Sequence, residues 1–196
     1  MIARKLFKFC GAHTVRNTSA TRRCSANIHG HNYVVEVMFE SKKLDRAGMV
    51  VDFGLMKNLI NDFIDSFDHA HSIWNKESKE FKDIMKGHSE RWIEMPVSPS
   101  AEEYALMFLY VIDKIVKNTK FANHEGIVTV SSVRVHETDT GYAEAFQEDL
   151  QMVDFELKDI KFSDQVKEEW KNHSWWWELL EGYQWEMKES TQQIAC

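Results

Sequence analysis

The chain has 196 residues, 43% of them hydrophobic and 12% aromatic, with 24 Lys and Arg against 31 Asp and Glu for a formal net charge of -7. That composition excludes a disordered or collagen-like chain, and its acidic balance argues against nucleic-acid binding. No apolar run approaches the ~20 residues of a membrane span. The start, Met1-Ile2-Ala3-Arg4-Lys5-Leu6, lacks the apolar stretch and cleavage site of a signal peptide, so a cytoplasmic protein without membrane contacts is expected. Three widely spaced cysteines, Cys10, Cys24 and Cys196, argue against a disulfide framework. Residues 1–35 carry six basic side chains and no acid, a segment that could hold a small anion.

In chain order, residues 5–13 alternate through Phe7, Phe9 and His13, and residues 31–40 through Tyr33, Val35, Val37 and Phe39, as half-buried strands do. Residues 14–28, rich in Asn, Thr, Ser and Arg, form a loop too long for a compact domain unless it has a function. The spacing of Leu55, Met56, Leu59, Ile60, Phe63, Ile64 and Phe67 predicts an amphipathic helix over 54–67. Ser100, with Glu103 three places on, is a capping-box pattern that opens a second helix with Tyr104, Phe108, Val111, Ile112 and Ile115 on one stripe. Alternation returns over 127–137, and Thr138-Asp139-Thr140-Gly141 turns the chain into a short strand over 142–147.

This order predicts an α+β domain over 1–148, a four-stranded antiparallel sheet with two helices on one face. Four strands leave open edges, and pairing with copies of the same chain would close them, so a homo-oligomer is expected. Residues 149–196 form an acidic extension with Trp170, Trp175, Trp176, Trp177 and Trp185. It is predicted to be helical over about 164–189 and packed on the main domain or on a neighbouring subunit.

The densest chemical signal is Cys24-Ser25-Ala26-Asn27-Ile28-His29-Gly30-His31-Asn32-Tyr33. Two histidines at i and i+2 project to one side of a strand, ~6.5–7 Å apart at Cα, close enough to share one ion. Antiparallel pairing with the preceding strand would add His13, and three imidazoles leave one coordination position open, as a catalytic zinc requires. Zinc suits three nitrogens best, with iron and nickel compatible by ligand type. Cys24 could be a fourth ligand, a free thiol acting as general base, or a small packing residue. Cys10, on the other parity, reads as packing. Asp68-His69 could pair a carboxylate with a proton-carrying imidazole. Glu137 falls on the core parity of Val133 and Val135, where a ligand edge with two adjacent N–H donors would satisfy it.

Taken together, His13, Cys24, His29-Gly30-His31-Asn32-Tyr33, Gly48-Met49-Val50-Val51-Asp52-Phe53, Asp68-His69, Pro99-Ser100-Ala101-Glu102 and His136-Glu137-Thr138 resemble the 6-pyruvoyltetrahydropterin synthase and 6-carboxytetrahydropterin synthase family over about residues 4–147. The resemblance implies zinc held by His13, His29 and His31, Cys24 as the proton-abstracting base, Asp68 and His69 as a proton relay, and Glu137 as pterin anchor and relay member. Ser100 and Glu102 fall in its helix-capping motif and are carried over as substrate-binding residues. The implied fold is the tunnelling fold, closing into a barrel with active sites between subunits. The implied substrate is 7,8-dihydroneopterin triphosphate, converted either to 6-carboxytetrahydropterin with release of acetaldehyde and triphosphate, toward queuosine, or to the 6-pyruvoyl product.

Four residues separate Cys24 from His29, a spacing between those of the two branches. Ile28 before His29 departs from the Gly-His-Gly-His-Asn-Tyr form of the pyruvoyl branch and favours the carboxy-forming one. Ser100 stands where Thr is usual. The stretch 74–95 is longer than the family pattern, and residues 150–196 lie outside it. A zinc-stabilised module that binds a pterin or purine without turnover is the rival from another class, and it requires Cys24 on the metal.

Overall fold

A computed structural model describes residues 1–19, 22–54 and 57–187. In chain order the strands and helices are β1 (Ile2–His13), α1 (Arg22–Ala26), β2 (His29–Glu40), α2 (Leu59–Asp65), β3 (Ala70–Trp74), α3 (Lys79–His88), β4 (Trp92–Met95), α4 (Ala101–Lys117), β5 (Thr119–Lys120), β6 (Thr129–Thr138), β7 (Gly141–Phe146), β8 (Lys161–Phe162), α5 (Asp164–Glu169), α6 (Trp175–Leu180) and β9 (Trp185–Glu186).

The expected four antiparallel strands are present in the order β7-β6-β2-β1, with β1 and β2 in register from Ile2–Glu40 to His13–His29. Alternation sorts their side chains. Phe7, Phe9, Tyr33, Val35, Val37, Phe39, Val133, Val135 and Ala145 are buried in the core with residues of α2 and α4. The other face carries charge. Arg4 and His136 both hold Glu36, at 2.7 Å each, and Arg134 holds Glu144 at 2.8 Å.

The sheet is wider than four strands. β3 joins β1 in parallel at Gly11–Ala70 and Ala12–His71, β4 continues in parallel, and β8 closes the series antiparallel, giving β7-β6-β2-β1-β3-β4-β8. Neither β3 nor β4 shows the alternation of a half-exposed strand: four of the five β3 residues and three of the four β4 residues are buried. Because β3 meets β1 only at its end, residues 2–10 of β1 have no second neighbour among the described residues, and β7 is likewise an edge.

Helix α4 is built as its sequence prescribes. Ser100 caps it by accepting the Glu103 N–H at 3.3 Å, acids occupy the first turn and Lys114 and Lys117 the last. Helix α2 begins at Leu59, later than the expected residue 54, and Leu55 and Met56 of the predicted stripe lie outside the described residues. The loop 14–28 contains a short helix, α1.

The extension forms two short helices rather than one long one over 164–189, and residues 188–196 lie outside the described residues. The break follows from side-chain demands. Lys171 N–H donates to buried Asp62 at 2.9 Å, and the Asn172 side chain accepts the Ser174 N–H at 3.1 Å. The intervening turn lets both Trp170 and Trp175 be buried, with Trp170 Nε1 donating to Ser66 Oγ at 2.8 Å and Trp175 edge-on to Phe63 at 6.2 Å.

Candidate metal centre

The in-register pairing of β1 and β2 sets His13 opposite His29, and the two-residue period puts His31 on the same face. One ring nitrogen of each lies within 4.8 Å of those of the other two. Gly30 permits this packing, because a Cβ there would stand 3.0 Å from the Gly11 carbonyl oxygen. The close approach is thus by the protein's own backbone.

Two of the three tautomers follow from the hydrogen bonds. A carbonyl oxygen can only accept, so His13 Nδ1–H donates to Pro99 O at 2.6 Å and His29 Nδ1–H to Asn27 O at 3.1 Å. Their Nε2 atoms then carry lone pairs and face each other at 3.1 Å. Two lone pairs at that distance repel unless a cation lies between them. Tetrahedral ligand atoms ~2.05 Å from zinc stand roughly 3.3 Å apart, so the pair fits such an ion. Backbone carbonyls on Nδ1 are the usual orienting partners of metal-bound imidazoles.

Electrostatics act in the same direction. His13 is fully buried, and burial lowers its pKa from 6.5 to about 4; the Pro99 bond opposes this, while His29, His31 and His71 add to the lowering. A ring held neutral is ready to ligate. Burial also pushes the Tyr33 phenol up, with Tyr104, Glu137 and Cys24 contributing, which places Glu137 and Cys24 near this hydroxyl. Tyr33 O–H lies 3.4 Å from His13 Nε2.

The remaining residues singled out from the sequence divide into three groups. Glu137 lies beside the trio, with Oε1 3.7 Å from His13 Nε2 and 3.8 Å from His31 Nε2. Cys24 sits in α1 and is partly buried, and its sulfur is not among the atoms that converge. Asp68 and His69 are joined to each other, His69 Nδ1 to Asp68 Oδ2 at 2.8 Å, and clamped to β1 by Cys10 N–H to Asp68 Oδ1 at 2.7 Å and His69 N–H to Cys10 O at 2.6 Å. His69 takes a positive φ of 51°, a strained conformation for a residue with a Cβ. His69 of the pair lines a cavity of about 490 Å³ with Cys10, Ala12, Gly30 and Asn32 of the other parity and with His31 and His71. Ser100 is engaged as the helix cap, and Glu102 lines a separate groove with Leu106, Glu144 and Asp149. Neither is brought to the imidazoles.

Cys10 differs from its expected packing role. It is exposed, its thiol donating to Asn32 Oδ1 at 3.1 Å. His71 was missed by sequence reasoning; it is buried on β3, where burial lowers its pKa. Its only sequence signal is being the third charged or polar residue of Asp68-His69-Ala70-His71.

Residues 2–148 match the family model described as 6-pyruvoyl tetrahydropterin synthase. Two Helicobacter pylori proteins named 6-carboxy-5,6,7,8-tetrahydropterin synthase are similar. The one from strain J99 is 47% identical over 184 residues, covering 92% of each chain, a match that must run well past residue 148. The one from strain 26695 is 52% identical over 151 residues, covering 77% of this chain and 75% of the relative. Among solved structures, an uncharacterized Wolinella succinogenes protein superposes with a TM-score of 0.57 at 21% identity, covering 75% of this chain and 98% of that one. Plasmodium vivax 6-pyruvoyl tetrahydropterin synthase gives 0.53 at 19% identity, covering 74% and 97%. At those identities the structures establish a shared fold. No helix of the described residues is long and apolar enough to cross a membrane.

Proposed function

The chain belongs to the 6-pyruvoyl tetrahydropterin synthase family, and from that premise we propose that it is a zinc-dependent, cytoplasmic 6-carboxy-5,6,7,8-tetrahydropterin synthase. It converts 7,8-dihydroneopterin triphosphate and one water to 6-carboxytetrahydropterin, acetaldehyde and triphosphate, a step toward queuosine and related 7-deazaguanines. The observation that carries this reading is the convergence of three imidazole nitrogens, two with Nδ1 tied to backbone carbonyls, with the Cys24 sulfur outside that set. The relatives with the carboxy-forming name supply the choice of branch.

In this reading residues 1–148 form the zinc and pterin domain and 149–196 an extension, of which the described residues, to 187, pack on it. His13, His29 and His31 hold the zinc. When bound, zinc supplies a Lewis acid that withdraws charge from the hydroxyls of the substrate side chain. The Cys24 thiolate takes a proton from the side-chain carbon, and Asp68 fixes the His69 ring so that its Nε2 exchanges protons with the reacting centre. Glu137 accepts two adjacent N–H groups of the pterin ring edge, while Ser100 serves as the cap of α4 and Glu102 stands apart in its own groove. The β1 and β7 edges have no second strand beside them among the described residues. These open edges support a homo-oligomer with active sites between subunits.

Product analysis of the zinc-loaded protein with dihydroneopterin triphosphate tests the proposal. Stoichiometric acetaldehyde and 6-carboxytetrahydropterin are expected. A pyruvoyl product with no acetaldehyde would assign the other branch, and binding without turnover would assign a pterin-binding module.

A further inference from the structure

Residues 75–91, within the stretch 74–95 read as longer than the family pattern, contribute a helix with an unusual balance of contacts. None of the α3 residues is buried, so the helix adds nothing to the hydrophobic core. It is nonetheless fixed firmly from below. Lys86 Nζ donates to buried Glu94 at 2.5 Å and lies 4.0 Å from the Trp92 ring centroid, and Lys82 Nζ donates to Asn75 O at 2.8 Å.

What the segment offers upward is a socket for Arg16. The guanidinium ion-pairs through Nε with Glu77, lies 5.1 Å from the Phe81 ring centroid, and donates through Nη1 to Ser25 O at 2.5 Å. Arg16 N–H is held in turn by Ser98 Oγ at 2.9 Å. Ser25 follows Cys24, and the Cys24 carbonyl accepts Val15 N–H at 3.1 Å. One arginine thus joins the turn that carries the thiol to a fixed point 61 residues away. The same segment ends at Arg91, which donates through Nε to Asp68 O at 2.8 Å and through Nη2 to Asp65 O at 2.7 Å, and ion-pairs with Glu169 of the extension.

We propose that residues 75–91 are a brace for the catalytic loops, with Arg16 and Arg91 as positioning residues that aim Cys24 and the Asp68–His69 pair. The inference rests on the roles given to those three residues above. A reacting group displaced by about 1 Å can lose about a hundredfold in rate, so a brace that touches no substrate still governs turnover. Neither arginine acts on the reaction directly.

The test uses the zinc-loaded full chain with Glu77→Ala, Glu77→Gln and Arg91→Lys, and with Asp83→Asn on the exposed side of α3 as control. Glu77→Ala is expected to lower kcat at least about tenfold with KM within about twofold, with partial recovery in Glu77→Gln. Arg91→Lys is expected to lower kcat in the same way, and Asp83→Asn to change nothing. Alkylation of Cys24 by iodoacetamide, read by peptide mass, is expected to speed up severalfold in Glu77→Ala and to stay unchanged in Arg91→Lys. Unchanged kcat and alkylation in Glu77→Ala would overturn the brace, and so would a loss of kcat that merely follows loss of zinc or of folded protein. Alkylation is independent of turnover. If Cys24→Ala proved fully active, the role of Cys24 as base would fall while the alkylation measurement still judged the brace.

Discussion

At the tip of the β1–β2 hairpin, alternate residues of the same two strands build two unlike environments. On one parity His13 is fully buried, and three imidazoles turn ring nitrogens toward one point. On the other, Cys10 is exposed and the Asp68–His69 pair is clamped beside it, with the His69 side chain 77% exposed. The difference teaches how one hairpin builds two unlike settings. Burial holds the His13 ring neutral and able to bind a cation, whereas the Asp68–His69 pair stands at an exposed surface.

The sharpest way to break the contrast is to remove one member of the imidazole set. His29→Ala should lose stoichiometric zinc, measured by atomic absorption, and with it all detectable turnover. Cys24→Ala should keep the metal and lose about 10²–10⁴ in kcat, the usual weight of a general base. Zinc retained in His29→Ala, or lost in Cys24→Ala, would reverse the assignment of ligand and base. Cobalt-substituted protein checks this spectroscopically, since a thiolate ligand adds an intense near-ultraviolet band that three imidazoles do not.

A subtler test asks whether the two environments meet only between copies. Cys24→Ala and His69→Ala subunits, each inactive alone, are expected to complement when co-assembled in equal amounts. Each restored site then needs an intact thiol from one copy and an intact pair from the next, which random assembly supplies in about a quarter of sites. Activity no greater than that of the separate variants would mean that each chain builds its site alone.

Much of this contrast is legible in the sequence, because its carriers are long strands. The alternation through Phe7, Phe9 and His13 and through Tyr33 to Phe39 sets parity, and parity alone places His13 with His29 and His31. The short strands β3 and β4 offer no such signal, since a strand buried on both faces over four or five residues has no alternation to read. Cys10 misleads for a related reason: parity tells that it leaves the core, but not whether another layer covers it. Arg16 and Arg91 are opaque because their meaning lies in partners far along the chain, Glu77 for one and the Asp68 carbonyl for the other. The Trp-rich extension shows that it must bury surface. Which helix it covers depends on Asp62 and Ser66, polar residues inside an apolar stripe.

Burial of His13 also makes a thermodynamic prediction. His13 has a folded pKa of about 4 against an ordinary 6.5. Above 6.5 the ring is neutral whether or not the chain is folded, so it adds no pH dependence. Between 6.5 and 4 the unfolded chain takes up a proton that the folded one refuses, and stability must fall as the pH falls through that window. At about 1.4 kcal/mol per pH unit, the metal-free protein should lose up to about 3 kcal/mol from this ring. His71, whose pKa burial also lowers, acts in the same direction, so the wild-type slope belongs to both. His13→Asn separates them, because its amide nitrogen takes the place of Nδ1 and can still donate to the Pro99 carbonyl while nothing titrates. Urea unfolding of the metal-free proteins at pH 7, 5.5 and 4.5 should therefore show a smaller decline in His13→Asn than in wild type. Equal declines would mean that burial does not hold His13 neutral, and the preference of this pocket for a cation would need another cause.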